Sequence, residues 1–187
     1  LPADNARLRN TLAARSEDTF ARWRMEQPDL PYSDIFAHLA CGRRGRVIDI
    51  GCGEGDFFEP LGLSFGQVVA VDLDFGHTRR ARSRSAGQVT VYCADAQQLP
   101  FAAAAFDAVV LRMALSQMPD HRAALAEALR VLKPGGFISV IDSDTDSNRT
   151  LRNSVVSFFT ETPLLQLDTE RALPRLFMLR AQRRLLR

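Results

Sequence analysis

Asp72 and Asp95 each stand at the end of a short strand-like run, Asp49 lies inside the end of another, and Gly51, Gly53 and Gly55 alternate after that run closes at Ile50. A carboxylate at such a place can accept from the hydroxyl, amino or ammonium groups of a ligand. Glycines let a ligand approach the backbone closely and adopt dihedrals that cost other residues energy. The stretch Val47–Gly55 reads Val-Ile-Asp-Ile-Gly-Cys-Gly-Glu-Gly, a buried strand delivered into a tight turn free of bulky side chains. A phosphate loop of the GxxxxGK[ST] type would need a lysine that is absent here. A dinucleotide fingerprint, GxGxxG, would need a third glycine where Asp56 stands. Asp56 and Glu54 would also repel a pyrophosphate at a helix N-terminus. The turn is acidic, as suits a ligand that carries positive charge.

Other residues able to do chemistry are Arg112, after the fourth strand, and four candidate bases, His121, His38, Asp142 and Asp144. None of the four stands out by spacing, so the catalytic residues stay unassigned. Met113, Leu115 and Met118 give the region beyond Arg112 an apolar character that suits a hydrophobic small molecule. His77 sits among Arg79, Arg80, Arg82 and Arg84 in a basic helix, Leu73–Ala86, that reads as a solvated face.

Positioning these residues requires strands at Arg46–Ile50, Val68–Val71, Val89–Tyr92, Phe106–Leu111 and Phe137–Ile141, with helices between them. Pro119–Leu132 is the clearest helix, with Asp120 as N-cap and Lys133-Pro134-Gly135-Gly136 as its stop. Alternation of strands and helices predicts an α/β fold, a Rossmann-like, doubly wound, mainly parallel sheet whose ligands bind at the carboxyl ends of the strands. Ala3–Gln27 and Tyr32–Ala40 read as amphipathic helices, either packed on the sheet edge or forming a lid with Tyr32, Trp23 or Arg24 over the turn. After Asp142 the pattern changes. Leu151, Val155, Phe158 and Phe159 share a helical face, and the stretch from Thr169 holds six arginines and no acid after Glu170. No sixth or seventh strand is evident.

With 187 residues, 46% of them hydrophobic, one globular domain is expected. The expected layout is a helical lid or cap over 1–45, a ligand-binding core over 46–142 and a helical tail, whole or truncated, over 143–187. A net charge of +2 does not point to nucleic acid. Three scattered cysteines without a CxxC, and three scattered histidines, argue against a disulfide framework or a metal site and fit a reducing cytoplasm. No apolar run reaches the ~18 residues of a membrane span. The chain opens at Leu1, so a natural start upstream is expected.

The run Asp49-x-Gly51-x-Gly53-x-Gly55 resembles the first motif of class I S-adenosylmethionine-dependent methyltransferases. So do Asp72, 17 residues after Gly55, Asp95-Ala96, Leu99-Pro100-Phe101 with Phe106-Asp107, and Arg130-Val131-Leu132-Lys133-Pro134-Gly135-Gly136. The likeness spans Val47–Asp142 and is closest to the small-molecule branch that includes quinone-ring C-methyltransferases. It implies methyl transfer from S-adenosylmethionine to a small, hydrophobic acceptor. It also implies a cofactor-binding set of Asp49, Gly51, Cys52, Gly53, Asp72, Leu73, Asp95, Ala96 and Arg112. In that family Asp72 would grip the ribose hydroxyls, Asp95 would accept from the adenine amino group, and Asp49 would orient the methionine amino group. Arg112 would touch the methionine carboxylate or the substrate. Base N-methylation of nucleic acid is disfavoured, because Arg112-Met113-Ala114-Leu115 replaces the Asn/Asp-Pro-Pro-Tyr/Phe run that such enzymes carry. The family's C-terminal antiparallel hairpin is expected to be missing or replaced by helices. Leu151–Phe159 occupies the place of a substrate lid or a homodimer contact. The alternatives are a non-catalytic methyltransferase-like assembly module and an RNA methyltransferase using the arginine-rich tail.

Overall fold

The computed structural model describes residues 45–85, 87, 89–144, 149–173 and 176–185. The two N-terminal helices expected above, with Trp23, Arg24, Tyr32, His38 and Cys41, lie outside the described residues. The described chain runs β1 (Arg46–Ile50), α1 (Phe58–Ser64), β2 (Gln67–Asp72), α2 (Phe75–Arg84), β3 (Val89–Cys93) and β4 (Phe106–Arg112). A 3-10 turn (Leu115–Gln117) leads to α3 (His121–Val131), β5 (Leu132–Ser143), α4 (Arg149–Glu161), β6 (Leu165–Leu173) and β7 (Leu176–Arg183).

The strands form one sheet in the order β3-β2-β1-β4-β5-β7-β6. The ladders among β3, β2, β1, β4 and β5 are all parallel. Val47, Ile48 and Ile50 of β1, and Val68 to Val71 of β2, are buried on both sides, as expected of a parallel sheet covered by helices. On one face Phe58 and Leu61 of α1 and Ala81 of α2 join Val47, Val68 and Val110. On the other, Leu125 and Ala128 of α3 and Val155 and Phe159 of α4 join Ile48, Val109 and Ile138. Each such large side chain contributes about 1.5–3 kcal/mol by leaving water.

The expectation for the C-terminal part is corrected. β6 and β7 form an antiparallel hairpin where a helical tail was expected, and β7 pairs antiparallel with both β5 and β6. Leu176, Phe177, Met178 and Leu179 are all buried: β7 lies between two strands, with Phe177 and Leu179 in the core that includes α4 and Leu176 and Met178 in the core on the other face. That burial erases the period-2 alternation by which a half-buried strand is read. The arginines also have local duties. Arg180 donates to Asp168 at 2.8 Å, and Arg183 donates to the carbonyls of Leu129 and Leu132, which close α3.

Two of the sequence motifs are locks within this fold. Arg130 donates to the carbonyl oxygens of Phe101 (2.8 Å) and Leu99 (3.0 Å) and pairs with Glu127, whose other oxygen accepts from the Leu99 N–H at 2.8 Å. Hydrogen bonding from Arg130 holds the Glu127 carboxyl below the usual range. Asp107 accepts from Lys133 at 3.0 Å and from the Arg46 N–H at 2.8 Å, joining β4, β5 and the start of β1. Gly136 is required there, because a Cβ would come within 2.6 Å of the Asp107 carbonyl oxygen.

Candidate functional site

The glycine turn leaves β1 at the middle of the sheet and is sewn onto β2. Gly51 N–H and Cys52 N–H both donate to the Val71 carbonyl, at 2.8 and 3.0 Å. Gly51, Gly53 and Gly55 all have positive φ, at 75°, 54° and 85°. At Gly51 a Cβ would also stand 2.5 Å from the Ala114 methyl, so the turn and the end of β4 touch only because Gly51 lacks one. At Gly53 a Cβ would meet nothing within 4 Å. Open space lies over that residue, beside the carboxyl ends of β2, β1 and β4.

Three charged side chains face this region. Asp49 is 2% exposed, and its Oδ2 has no hydrogen-bond partner among the described residues. Burial pushes its pKa up to about 7, with Asp72 adding to the rise and Arg112 opposing it. Arg112 ends β4, with its guanidinium 4.8 Å from the centre of the Phe57 ring, a cation–π contact. Asp72 ends β2. Its carboxylate accepts from the Gly53 N–H at 2.8 Å and the Asp74 N–H at 2.9 Å. A carboxylate offers about four lone-pair sites, so acceptor capacity remains for a ligand.

Leu73, beside Asp72, is 71% exposed, an apolar surface at the rim. The Ala94 N–H donates to the Asp72 carbonyl at 3.0 Å, which brings the end of β3 alongside. Asp95 folds into a turn there, with Oδ1 accepting from the Gln97 N–H at 2.8 Å and its side-chain amide at 3.4 Å. Ala96 follows, half-buried. Cys52 is buried, and burial pushes its thiol pKa far up, so it is an inert filler of the turn. The fold thus gathers Asp49, Gly51, Cys52, Gly53, Asp72, Leu73, Asp95, Ala96 and Arg112 along one edge of the sheet.

Met113 has φ 52°, unusual for a residue with a side chain, and donates its N–H to the Ile141 carbonyl at 2.7 Å. Such strain costs about 1–3 kcal/mol and gathers at functional sites. The described candidate bases are engaged elsewhere. His121 Nε2 is 2.8 Å from Ser154 Oγ. Asp142 is fully buried and accepts from the N–H groups of Ser116 and Ser143. Asp144 lies 3.5 Å from Arg152.

Sequence reasoning missed the role of α2. Its arginines are not all a solvated face. Arg80 pairs with Glu54 at 2.7 Å, and Arg84 pairs with Glu54 at 3.3 Å and with Asp56. The acids of the turn are therefore compensated, and their charge alone no longer argues for a cationic ligand. The feature that suits a cationic ligand is the buried, unpartnered Asp49 oxygen. The signal was present in the spacing of His77, Arg80 and Arg84, which places them on one helical face.

A Rossmann-like sheet with this strand order, a glycine turn after β1 and acids at the ends of β2 and β3 defines a nucleoside-binding α/β domain of methyltransferase type. A family model described as "Methyltransferase domain" matches residues 48–140. The demethylmenaquinone methyltransferase of Mycobacterium sp. (strain KMS) is 34% identical over 142 residues, which is 76% of this chain and 56% of that protein. The chain spans little more than half the length of that relative. Among solved structures, the PH0226 protein of Pyrococcus horikoshii OT3 superposes with a TM-score of 0.71 at 20% identity, over 88% of this chain and 91% of the other. The N-methyltransferase NodS of Bradyrhizobium japonicum WM9, solved with S-adenosyl-L-homocysteine, gives 0.70 at 20%, over 86% and 91%. The chain belongs to the class I S-adenosylmethionine-dependent methyltransferases and is similar to the quinone C-methyltransferases among them.

The residues present fit the cofactor of that class. The unpartnered Asp49 oxygen suits an ammonium group, Asp72 has acceptor capacity for vicinal hydroxyls, and Gly53 leaves room for a ligand against the backbone. Among the described residues, no cluster of three or more His, Cys, Asp or Glu could hold a metal ion. No helix there is long and apolar enough to cross a membrane.

Proposed function

We propose that this chain transfers the methyl group of S-adenosylmethionine to a small, hydrophobic acceptor of the quinone-ring type. The observation that carries the reading is the buried Asp49 carboxylate, with one oxygen unpartnered at the mouth of the sheet and Arg112 nearby. In this reading Asp49 ionises as an ammonium group arrives and holds it. Asp72 takes the two ribose hydroxyls in charge-assisted bonds, which discriminate against ligands lacking them. Leu73 lies against the adenine, Asp95 accepts from its amino group, and the backbone of Gly51, Cys52, Gly53 and Ala96 lines the nucleoside. Arg112 meets the methionine carboxylate or the acceptor. When bound, the cofactor supplies a methyl group on a sulfonium whose leaving group departs neutral. The chain's own work is then largely orientation and exclusion of water.

Met113, exposed beyond Arg112, and the half-buried Met118 favour an apolar acceptor. The name of the mycobacterial relative supports the same class. The RNA reading loses ground, because Arg180 and Arg183 are committed to Asp168 and to the end of α3. The same proposal places the protein in the cytoplasm, in keeping with the free thiols of Cys52 and Cys93. A homodimer through α4 would use its outer face, since Leu151, Val155 and Phe159 are buried inward.

Calorimetry with S-adenosyl-L-homocysteine, followed by transfer assays on a panel of quinols, phenols and RNA, tests the proposal. Binding that weakens by about 1–3 kcal/mol in Asp72→Ala, with turnover on a ring acceptor, is expected. No binding by the wild type at millimolar ligand sinks the reading. Binding without turnover on any acceptor favours an assembly module.

A further inference from the structure

The inference concerns α2 and rests on the cofactor reading above. His77, Arg80 and Arg84 form one stripe on this helix, and each faces an acid that borders the glycine turn. His77 Nδ1 lies 3.4 Å from Asp72 Oδ1, Arg80 Nε is 2.7 Å from Glu54, and Arg84 reaches both Glu54 and Asp56. Asp72 in turn holds the Gly53 N–H. The stripe therefore grips the turn from two sides, through its own acids and through the end of β2.

The helix is a fixed support for that grip. Thr78 and Ala81 are fully buried, and the Asp74 side chain caps the helix by accepting from the His77 N–H at 2.7 Å. Arg82 donates twice to the Val91 carbonyl at the sheet edge, at 3.1 and 3.0 Å. The turn itself has little steric restraint, with glycine at three of its five positions. Glu54 and Asp56 are the handles by which a rigid neighbour can set its shape.

We propose that His77, Arg80 and Arg84 are positioning residues for the cofactor site. They touch no cofactor atom. They hold the glycine turn and the Asp72 carboxylate in the binding geometry, and so make cofactor affinity depend on ionic strength. Exposed pairs are individually weak and screened by salt, so the effect is read in affinity rather than in overall stability.

The test measures the dissociation constant for S-adenosyl-L-homocysteine by calorimetry, from low to high salt, with melting temperature followed in parallel. Arg80→Glu is expected to weaken binding by about five- to tenfold, as its attractive pair with Glu54 becomes a repulsive one. Adding Glu54→Arg should restore part of the loss, because the exchanged pair with position 80 is regained while the contact with Arg84 turns repulsive. Arg79→Glu, an equal charge change at an exposed site on the same helix, should leave affinity unchanged. Arg80→Gln covers the case in which the reversal fails to fold, with an expected loss of about two- to fivefold and a flatter salt dependence. Unchanged affinity in both Arg80 variants overturns the inference while leaving the cofactor reading intact. So does an equal loss in Arg79→Glu, or a double variant no better than the single. A wild type that does not bind overturns both.

Discussion

At the residue scale, the proposed role of Asp49 predicts that ligand binding depends on pH. Burial raises its pKa from 3.8 to about 7. Between those values the folded chain holds a proton that the unfolded chain has released. The resulting stabilisation is fully present below about pH 4 and is lost as pH rises through about 7. A cationic ligand needs the ionised form, so affinity for S-adenosyl-L-homocysteine should climb with pH up to about 7 and flatten above it. Calorimetry from pH 5.5 to 8.5 checks this, and Asp49→Asn should bind weakly with no such slope.

The glycines separate along the same line. Gly51→Ala drives a methyl into the Ala114 Cβ, 2.5 Å away, at positive φ. It should cost about 2–4 kcal/mol of stability through overpacking and backbone strain together. Gly53→Ala meets open space, so it should cost only about 1–2 kcal/mol while weakening ligand binding at least tenfold. Urea unfolding beside calorimetry distinguishes the two.

At the element scale, the parallel strands position the site and the loops between them are pinned by side chains. Arg130 and Glu127 of α3 hold the segment Leu99–Phe101, which returns the chain from β3 to β4. Arg130→Ala strands two carbonyl groups and frees a half-buried carboxylate. It should lower stability by about 1–3 kcal/mol and leave cofactor affinity within twofold, read by urea unfolding and calorimetry. Both motifs were legible as a family pattern, but their structural use was not, because partners 29 and 31 residues apart leave no local signature. α2 shows the same limit. Its arginines look alike in sequence, yet Arg82 binds the β3 backbone, Arg80 and Arg84 bind the glycine turn, and Arg79 faces solvent. The caps Asp74 and Asp120, by contrast, act within three residues, accepting from His77 and Ala123. Asp120 could be read directly for that reason.

At the scale of the whole molecule, β1 to β5 were readable because each strand holds an apolar run punctuated by Gly, Asp or Pro, and all but β3 lead on to a helix. The hairpin was missed because β7 is buried on both faces, although β6 carried a short strand signal in the alternation of Leu165 and Leu167 with exposed Gln166 and Asp168. The hairpin is nonetheless integral. β7 covers the whole open side of β5 from Phe137 to Ser143, and Phe177, Leu179 and Ala181 belong to the same core as Val155 and Phe159. A chain ending before Leu165 should show no cooperative unfolding transition in urea and should bind hydrophobic dyes and aggregate.

The order β5-β7-β6 also has a consequence in time. Synthesis delivers β6 before β7, yet β7 is the strand that must reach β5. While the ribosome moves from Ser143 to Arg183, about 2–8 s at roughly 5–20 residues per second, β5 carries an unpaired apolar border that could recruit β5 of a neighbouring nascent chain. β6 cannot close that border on its own. The danger of misassembly on a crowded polysome is therefore concentrated in the few seconds between the synthesis of β5 and that of β7, and it ends when the hairpin folds and slots β7 into place.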